Sequence, residues 1–581
     1  MIGDVQMNYD LEPETDIENF KMAVQGVSNV TNMLSEKINS LDSESTIIFE
    51  CYPGVDYDDL RHNIIDNFNA DNVIFADDFA MSSKLVNETI HQQMTDDRVF
   101  GIMTHYTLSD FYPQLDLIKS DIKKKKGKTI VYGTGASLFA PNAEITVYCD
   151  LARWEIQLRY RSGLSNWQQD NADEDPLRKF KRGYFFDWRM ADRLKKDILP
   201  KADFVLDTNK KNEPKLVSGT DLLAALQVLQ YQPYRTVPYF DASVWGGQWM
   251  KNHYKLPENG SNYGWAFDGV PEENSLYFRF GKVRIEVPAM DLMLMNPIGI
   301  LGEKVFSRFG AEFPIRFDYL DTVKGGNLSL QVHPLTEYIK QHYGMNYTQD
   351  ESYYILASTS NSSVYLGTKK DIDKENLGKA LSRAAEGKER FPDEKFINNF
   401  PAKKGDHFLI PAGTIHCGGA GTVVLEISAT PYIFTFKMWD WDRVGLDGKP
   451  RPIHLEEGLD NIQMRRDTDW VEQNLINQFS LMSQNEDETV ERTGLHPTLE
   501  FIETLRHTIN GVGQFNTHGS VNMLNMVDGN EAVVESLNNN FKPFTIHFGE
   551  TFIVPEAVGQ YTIRSTSSIV KKITVIQAFV K

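Results

Sequence analysis

The stretch Lys404-Gly405-Asp406-His407-Phe408-Leu409-Ile410-Pro411-Ala412-Gly413-Thr414-Ile415-His416 constrains the chain more than any other. It predicts a strand, a tight turn and a return strand. Phe408, Leu409 and Ile410 supply an apolar first strand, and Pro411 and Gly413 permit the bend. The return strand then delivers one imidazole, His416, to a fixed place. A near copy occurs at Gly549-Glu550-Thr551-Phe552-Ile553-Val554-Pro555-Glu556-Ala557-Val558-Gly559-Gln560, with glutamine where the first has histidine. Duplication of one β unit, with the imidazole kept in one copy only, is the expectation.

With 581 residues the chain exceeds one ordinary domain, and two to four domains follow. The hydrophobic fraction of 41% and aromatic fraction of 12% suit packed cores. A formal net charge of −20 argues against nucleic acid or an anionic membrane as partner. The basic run Lys123 to Lys126 reads as a solvated helix end before the strand Thr129-Ile130-Val131-Tyr132. The cysteines, Cys51, Cys149 and Cys417, are too few and odd in number for a disulfide framework. The N-terminus shows no charged-then-apolar signal pattern, and no apolar run reaches the ~20 residues of a membrane span. A cytoplasmic location is the default expectation.

Taken in order, residues 1–45 are polar with helical spacing and predict a helical leader. Strands are expected at Ser45–Cys51, Asn72–Phe75, Thr129–Tyr132 and Glu144–Tyr148, with helices between. That alternation predicts a parallel sheet with crossover helices, an α/β domain over 46–225. It vaguely resembles a nucleotide kinase of the P-loop class in degenerate form. The turn Tyr52-Pro53-Gly54-Val55-Asp56-Tyr57 has no lysine for a phosphate, and Gly133-Thr134-Gly135 alone is weak evidence. Arg153, Arg159 and Arg161 fit either a phosphate-facing lid or a solvated helix face. A nucleotide or another domain is the expected partner of this segment.

From Tyr239 the texture changes to short apolar strands with Gly and Asn turns, predicting all-β barrels. The expected units are 235–480, with a helical insertion at 371–390, and 491–581. The acidic stretch from Ser483 to Glu491 reads as a linker between them. In Leu328-Ser329-Leu330-Gln331-Val332-His333, strand alternation puts Ser329, Gln331 and His333 on one face. Glu351 opens a following strand. With His416 these make two imidazoles, a carboxylate and an amide oxygen, a donor set suited to a catalytic divalent ion such as Zn²⁺. Each residue alone has an ordinary structural explanation; two half-motifs in order within one barrel are harder to dismiss.

The grammar from Gly405 to His416 is the second half of a cupin metal motif. Leu328–Pro334, Glu351, Ile410–His416 and Asp440-Trp441-Asp442-Arg443 together resemble type I phosphomannose isomerase, as do Val244-Trp245-Gly246-Gly247 and Phe313-Pro314. The resemblance spans roughly 235–581. It implies a mixed fold, the α/β domain followed by a double cupin of jelly-roll barrels. It further implies a zinc-dependent isomerase that interconverts mannose 6-phosphate and fructose 6-phosphate, one zinc per chain. On that pattern Gln331, His333, Glu351 and His416 hold the metal. Ser329, Arg443 and Gln349 line the substrate, and Lys437 and Glu351 are the catalytic candidates, with a metal-bound water also open as base.

The departures are specific. Gln349 stands where the family has a lysine, Lys437 where it has an arginine, and Asp318 where it has a lysine associated with phosphate. A carboxylate gained beside a dianion costs several kcal/mol if buried and unpaired. Either Arg316 or another cation substitutes, or the sugar is a different one. A non-catalytic, sugar-sensing cupin is the remaining alternative.

Overall fold

The computed structural model describes residues 8–429, 432–446, 448, 451–493, 500–569 and 571–581. The described chain forms two compact units. One contains residues 14–228 and 273–296; the other contains residues up to Pro13, 229–272 and 297–581.

The first unit is built on a seven-stranded sheet. Its order is Ala23–Gln25, Lys215–Ser218, Phe204–Asp207, Ile145–Asp150, Thr46–Cys51, Thr129–Gly133, Asn72–Phe75. The last five strands pair in parallel and the first two are antiparallel additions. The Thr129–Gly133 strand, between Thr46–Cys51 and Asn72–Phe75, is buried throughout, which is why Ile130, Val131 and Tyr132 follow one another without alternation. Helices pack Val86, Ile90, Ile118, Ile122 and Met190 against Ile48 and Val131.

Three features depart from the sequence expectations. Among its described residues the leader contributes a single helix, Val27–Asn39, preceded by the strands Glu14–Asp16 and Ala23–Gln25. Long-range pairing overrides local helical spacing here: Glu14 sits opposite Tyr277 in a parallel ladder, and its carboxylate meets Arg279 at 2.5 Å. Second, the segment 273–296, expected inside the barrel region, belongs to this first unit. Its hairpin, Ser275–Phe280 with Val283–Pro288, leads into the helix Ala289–Met295. There Asp291 forms a fully buried ion pair with Lys195, which also meets Asp150 at 2.6 Å. Third, the groups read as a possible phosphate grip are engaged internally. Asp56 caps its own helix through Asp59 N–H at 3.0 Å. The Glu50 carboxylate accepts the N–H groups of Gly135 and Ser137, both at 2.7 Å, and Asp77 accepts that of Thr134 at 2.9 Å. Arg153 is buried against Asp192, Arg159 donates to the carbonyls of Gly54, Thr208 and Asn209, and Arg161 stacks over Trp154.

The second unit carries two successive pairs of antiparallel sheets. In the first pair, a six-stranded sheet runs His407–Ile410, Glu351–Ser358, Thr422–Ser428, Arg316–Asp321, Trp265–Gly269, Tyr239–Asp241. Its partner is five-stranded: Ile397–Pro401, Ser363–Thr368, His416–Gly418, Leu330–Val332, Phe436–Trp439. The expected helical insertion is the helix Lys374–Ala385, which buries Leu377, Leu381 and Ala384. The second pair has six and four strands. Its outermost strands, Ser480–Gln484 and Glu488–Arg492, form a hairpin over the stretch expected to be a linker. Asn485 Oδ1 accepts the N–H groups of Asp487 and Glu488, both at 2.8 Å, which closes the turn, and an exposed edge strand tolerates the polar sequence. Among the described residues no helix is long and apolar enough to cross a membrane.

Candidate metal centre

Strand register brings the predicted residues together. Gln331 sits opposite both His416 and Lys437 on neighbouring strands, so these three side chains share the inner face of the five-stranded sheet. His333 follows directly, and Glu351 reaches in from the facing sheet. His333, Glu351 and His416 are fully buried, and one donor atom from each lies within 4.8 Å of the others.

The two imidazoles are aimed by the backbone. His333 Nδ1 lies 2.8 Å from the Phe434 carbonyl, and His416 Nδ1 lies 2.8 Å from the Thr414 carbonyl. Each Nδ1 is thereby the donor, which leaves both Nε2 atoms as bases directed at Glu351, at 3.1 and 2.7 Å. Burial opposes ionisation of Glu351, yet the imidazoles, when protonated, hold its carboxyl well below the usual carboxylate range. The Gln331 amide lies 3.3 Å from His416 Nε2; turned about its axis, it presents an oxygen to the same point. Two imidazole nitrogens, a carboxylate and an amide oxygen converging in a dry interior fit a divalent ion.

The turn before His416 admits only glycine at its centre. Gly413 has φ 86°, and an added Cβ would meet Gln463 Cγ at 2.8 Å and both Asn461 O and Leu335 Cδ2 at 2.9 Å.

Around this cage lies a largely acidic lining. Gln349 donates to Glu351 at 3.2 Å and to Glu426 at 3.4 Å, while its oxygen accepts Phe434 N–H. Asp318 pairs in register with Glu426 and meets Arg316 at 3.3 Å. Burial, opposed by Arg316 and aided by Glu351, pushes Asp318 up to about 7; burial and the Asp318 charge push Glu426 up as well. Glu426 was not picked out from the sequence, although a lone acid in the apolar strand Thr422–Ser428 was a visible signal.

A separate cationic group gathers at Asp440. Its carboxylate accepts Ser329 Oγ at 3.0 Å, Arg443 at 2.7 Å and Arg451 at 2.9 Å, and Arg451 also reaches Ser329 Oγ at 3.1 Å. Both guanidiniums keep about a fifth of their surface exposed, at 22% and 20%. Trp441 and Asp442 adopt left-handed φ values of 57° and 55°, a strained turn held by Trp441 Nε1 on the Leu328 carbonyl and Trp439 Nε1 on Asp442. Arg451, between two prolines, carried no sequence signal.

The family described as a domain of unknown function, DUF8485, matches residues 26–230. The chain also has relatives among the mannose-6-phosphate isomerases. The mannose-6-phosphate isomerase ManA of Bacillus subtilis is 25% identical over 240 residues, 40% of this chain and 69% of ManA. GmuF of the same organism is 23% identical over 331 residues, 57% of this chain and 95% of GmuF. Among solved structures, the mannose 6-phosphate isomerase from Bacillus subtilis superposes on 60% of the chain at 19% identity, TM-score 0.48. A variant of phosphomannose isomerase from Salmonella typhimurium does so at 14% identity, TM-score 0.47. The chain is therefore homologous, at low identity and over part of its length, to the mannose-6-phosphate isomerases.

Proposed function

We propose that this chain is a metal-dependent aldose–ketose isomerase, interconverting mannose 6-phosphate and fructose 6-phosphate through an enediol(ate). The observation that carries the reading is the buried convergence of His333, Glu351 and His416, in a chain with relatives among such isomerases. Gln331, His333, Glu351 and His416 would hold one Zn²⁺, which as a Lewis acid would supply stabilisation of negative charge developing on the sugar oxygens. The relatives do not favour the sugar-sensing alternative.

The protein's own groups take the remaining tasks. Lys437, opposite Gln331 on the inner face, stabilises the enediolate oxygens or shuttles their proton. As a point charge it lacks the bidentate fork of an arginine. Glu351 is engaged by both imidazoles, so as a base it competes with its role as ligand. Glu426, linked to it through Gln349, is a further carboxyl beside the C1–C2 proton. Asp318 is held by Arg316 among the buried strands, so that guanidinium is already engaged. Arg443 and Arg451, with Ser329, are the cationic anchor in their place, held in position by Asp440.

The test is metal content, ketose formation and C2-proton exchange with mannose 6-phosphate and with mannose, for the native chain and His416→Ala. Turnover of the phosphorylated sugar, lost with the metal in the variant, is expected. No exchange with either sugar would sink the isomerase reading; exchange with mannose alone would move the substrate to an unphosphorylated sugar. Lys437→Ala is expected to retain metal and lose turnover.

A further inference from the structure

The turn Pro411–Thr414 supports three metal-cage residues at once. Gly413 N–H donates to the carbonyl of His333 at 2.9 Å. Ala412 N–H donates at 2.7 Å to Asp350, the residue immediately before Glu351. The Thr414 carbonyl takes Nδ1–H of His416. A displacement of this turn therefore moves one imidazole directly and disturbs the supports of the other two residues.

The turn is itself held from outside. Arg466 lies between the helices Leu455–Asn461 and Thr468–Asn474 and is 4% exposed. Its Nη1 reaches the carbonyls of Pro411 and Ala412 and the Oγ1 of Thr414, each at 2.6 Å. Thr414 Oγ1 passes its own hydrogen to the Pro411 carbonyl at 2.6 Å. The arginine's position is fixed in turn, since its N–H donates to Gln463 O at 2.9 Å and Gln463 N–H donates to Gly413 O at 2.8 Å. A guanidinium suits this place because it is always charged and presents rigid, planar donors to acceptors that diverge around a bend.

We infer that Arg466 is a positioning residue for the metal cage: its guanidinium fixes the Pro411–Thr414 turn, and through that turn the direction of His416 Nε2 and the setting of His333 and Glu351. This rests on the metal-binding part of the function proposed above. Groups behind metal ligands commonly carry 10–100-fold in metal affinity, because the ligand's orientation is set before the ion arrives.

The test is Co²⁺ titration of the metal-stripped full-length chain, followed by visible absorption, for the native protein, Arg466→Met and Arg466→Lys. Melting is measured with and without Co²⁺. Arg466→Met is expected to weaken Co²⁺ binding by about 10–100-fold and to alter the absorption band, with Arg466→Lys recovering part of both. A merely structural role would lower the melting temperature equally with and without Co²⁺ while leaving affinity and band unchanged; that outcome overturns the inference. If Arg466→Met does not fold, Thr414→Val removes one acceptor and keeps the side chain's shape. A several-fold loss of affinity there supports the inference, and native affinity overturns it. A native chain that takes no Co²⁺ also overturns it. A native chain that binds Co²⁺ without isomerising either sugar sinks the proposed reaction instead, and the affinity series still decides Arg466.

Discussion

The two sheet pairs of the second unit start from one sequence grammar and end with opposite interiors. In the first, the strand His407–Ile410 and its turn deliver His416, fully buried, to a cage with His333 and Glu351. In the second, the corresponding strand Thr551–Val554 is followed by a 3₁₀ turn, Glu556–Val558, and Gln560 emerges exposed. Inside, Phe515, Leu524, Met526, Ile546, Phe552 and Ile563 pack a dry apolar core. The glycine shows why. Counting from the shared proline, Gly413 holds the bend in the first copy, while the second has Ala557 there and its positive-φ glycine two residues later, Gly559 at 72°. The same strand can thus serve a site or only a core, depending on where the bend falls and what faces it.

The largest effect should come from exchanging the residues at the end of the motif. His416→Ala is expected to cost at least about 10²-fold in turnover and to lose the metal, whereas Gln560→His should create no metal site, since among the described residues the ligands that gather in threes are those of the first copy. Metal analysis of both variants checks this, and metal bound by Gln560→His would break the comparison.

Next is the second interior itself. Phe552→Ala should destabilise the chain by about 3–5 kcal/mol, by lost burial and a cavity, without altering metal affinity. Urea unfolding beside Co²⁺ titration separates the two quantities. Equal loss of both would show that the second sheet pair directly shapes the site.

Smaller is the cost of Gly413→Ala, about 2 kcal/mol or somewhat more, because the added methyl must displace the Asn461 carbonyl and Leu335 as well as adopt a left-handed φ. Ala557 at the equivalent place in the second copy is no precedent, since that turn has changed shape. A variant as stable as the native chain, with native metal affinity, would show that the bend is adjustable.

The smallest contrast is one of pH. Burial, with the nearby Arg506 charge, pushes the His407 imidazole down to about 3, while Thr551 stands in the equivalent position of the second copy. The folded state therefore binds fewer protons there than the unfolded chain. Its stabilisation is present above the ordinary histidine value of about 6.5 and is lost as pH falls towards 3, amounting to roughly 2 kcal/mol between pH 7 and pH 5. Replacing His407 by Phe should flatten that part of the stability–pH curve, as read from urea midpoints. An unchanged slope would assign the pH dependence to other groups.

Much of the site was legible because its signals are local. Alternation alone put Ser329, Gln331 and His333 on one strand face, and the proline–glycine spacing placed the bend before His416. Glu426 was legible in principle, as one acid in an apolar strand. Arg451 and Arg466 were not: each acts on residues far away in sequence, Arg466 on a turn more than fifty positions earlier, and nothing in their neighbourhoods marks them.

The same division runs through the fold. Sequence by itself determined the parallel-sheet segment and the β-rich remainder, the order of the proposed metal-cage residues and the loss of histidine from the second copy. These follow from periodicities of two and 3.6 residues and from backbone demands that few residue types meet. Tertiary structure alone decided that 273–296 joins the first unit, that the leader pairs as strands, and that an acidic stretch becomes an edge hairpin. It also decided that Asp318 faces Arg316 while Arg443 and Arg451 gather at Asp440. In each case the deciding energy is a long-range ladder or a buried charge pair, which outweighs local propensity and has no local sequence signature.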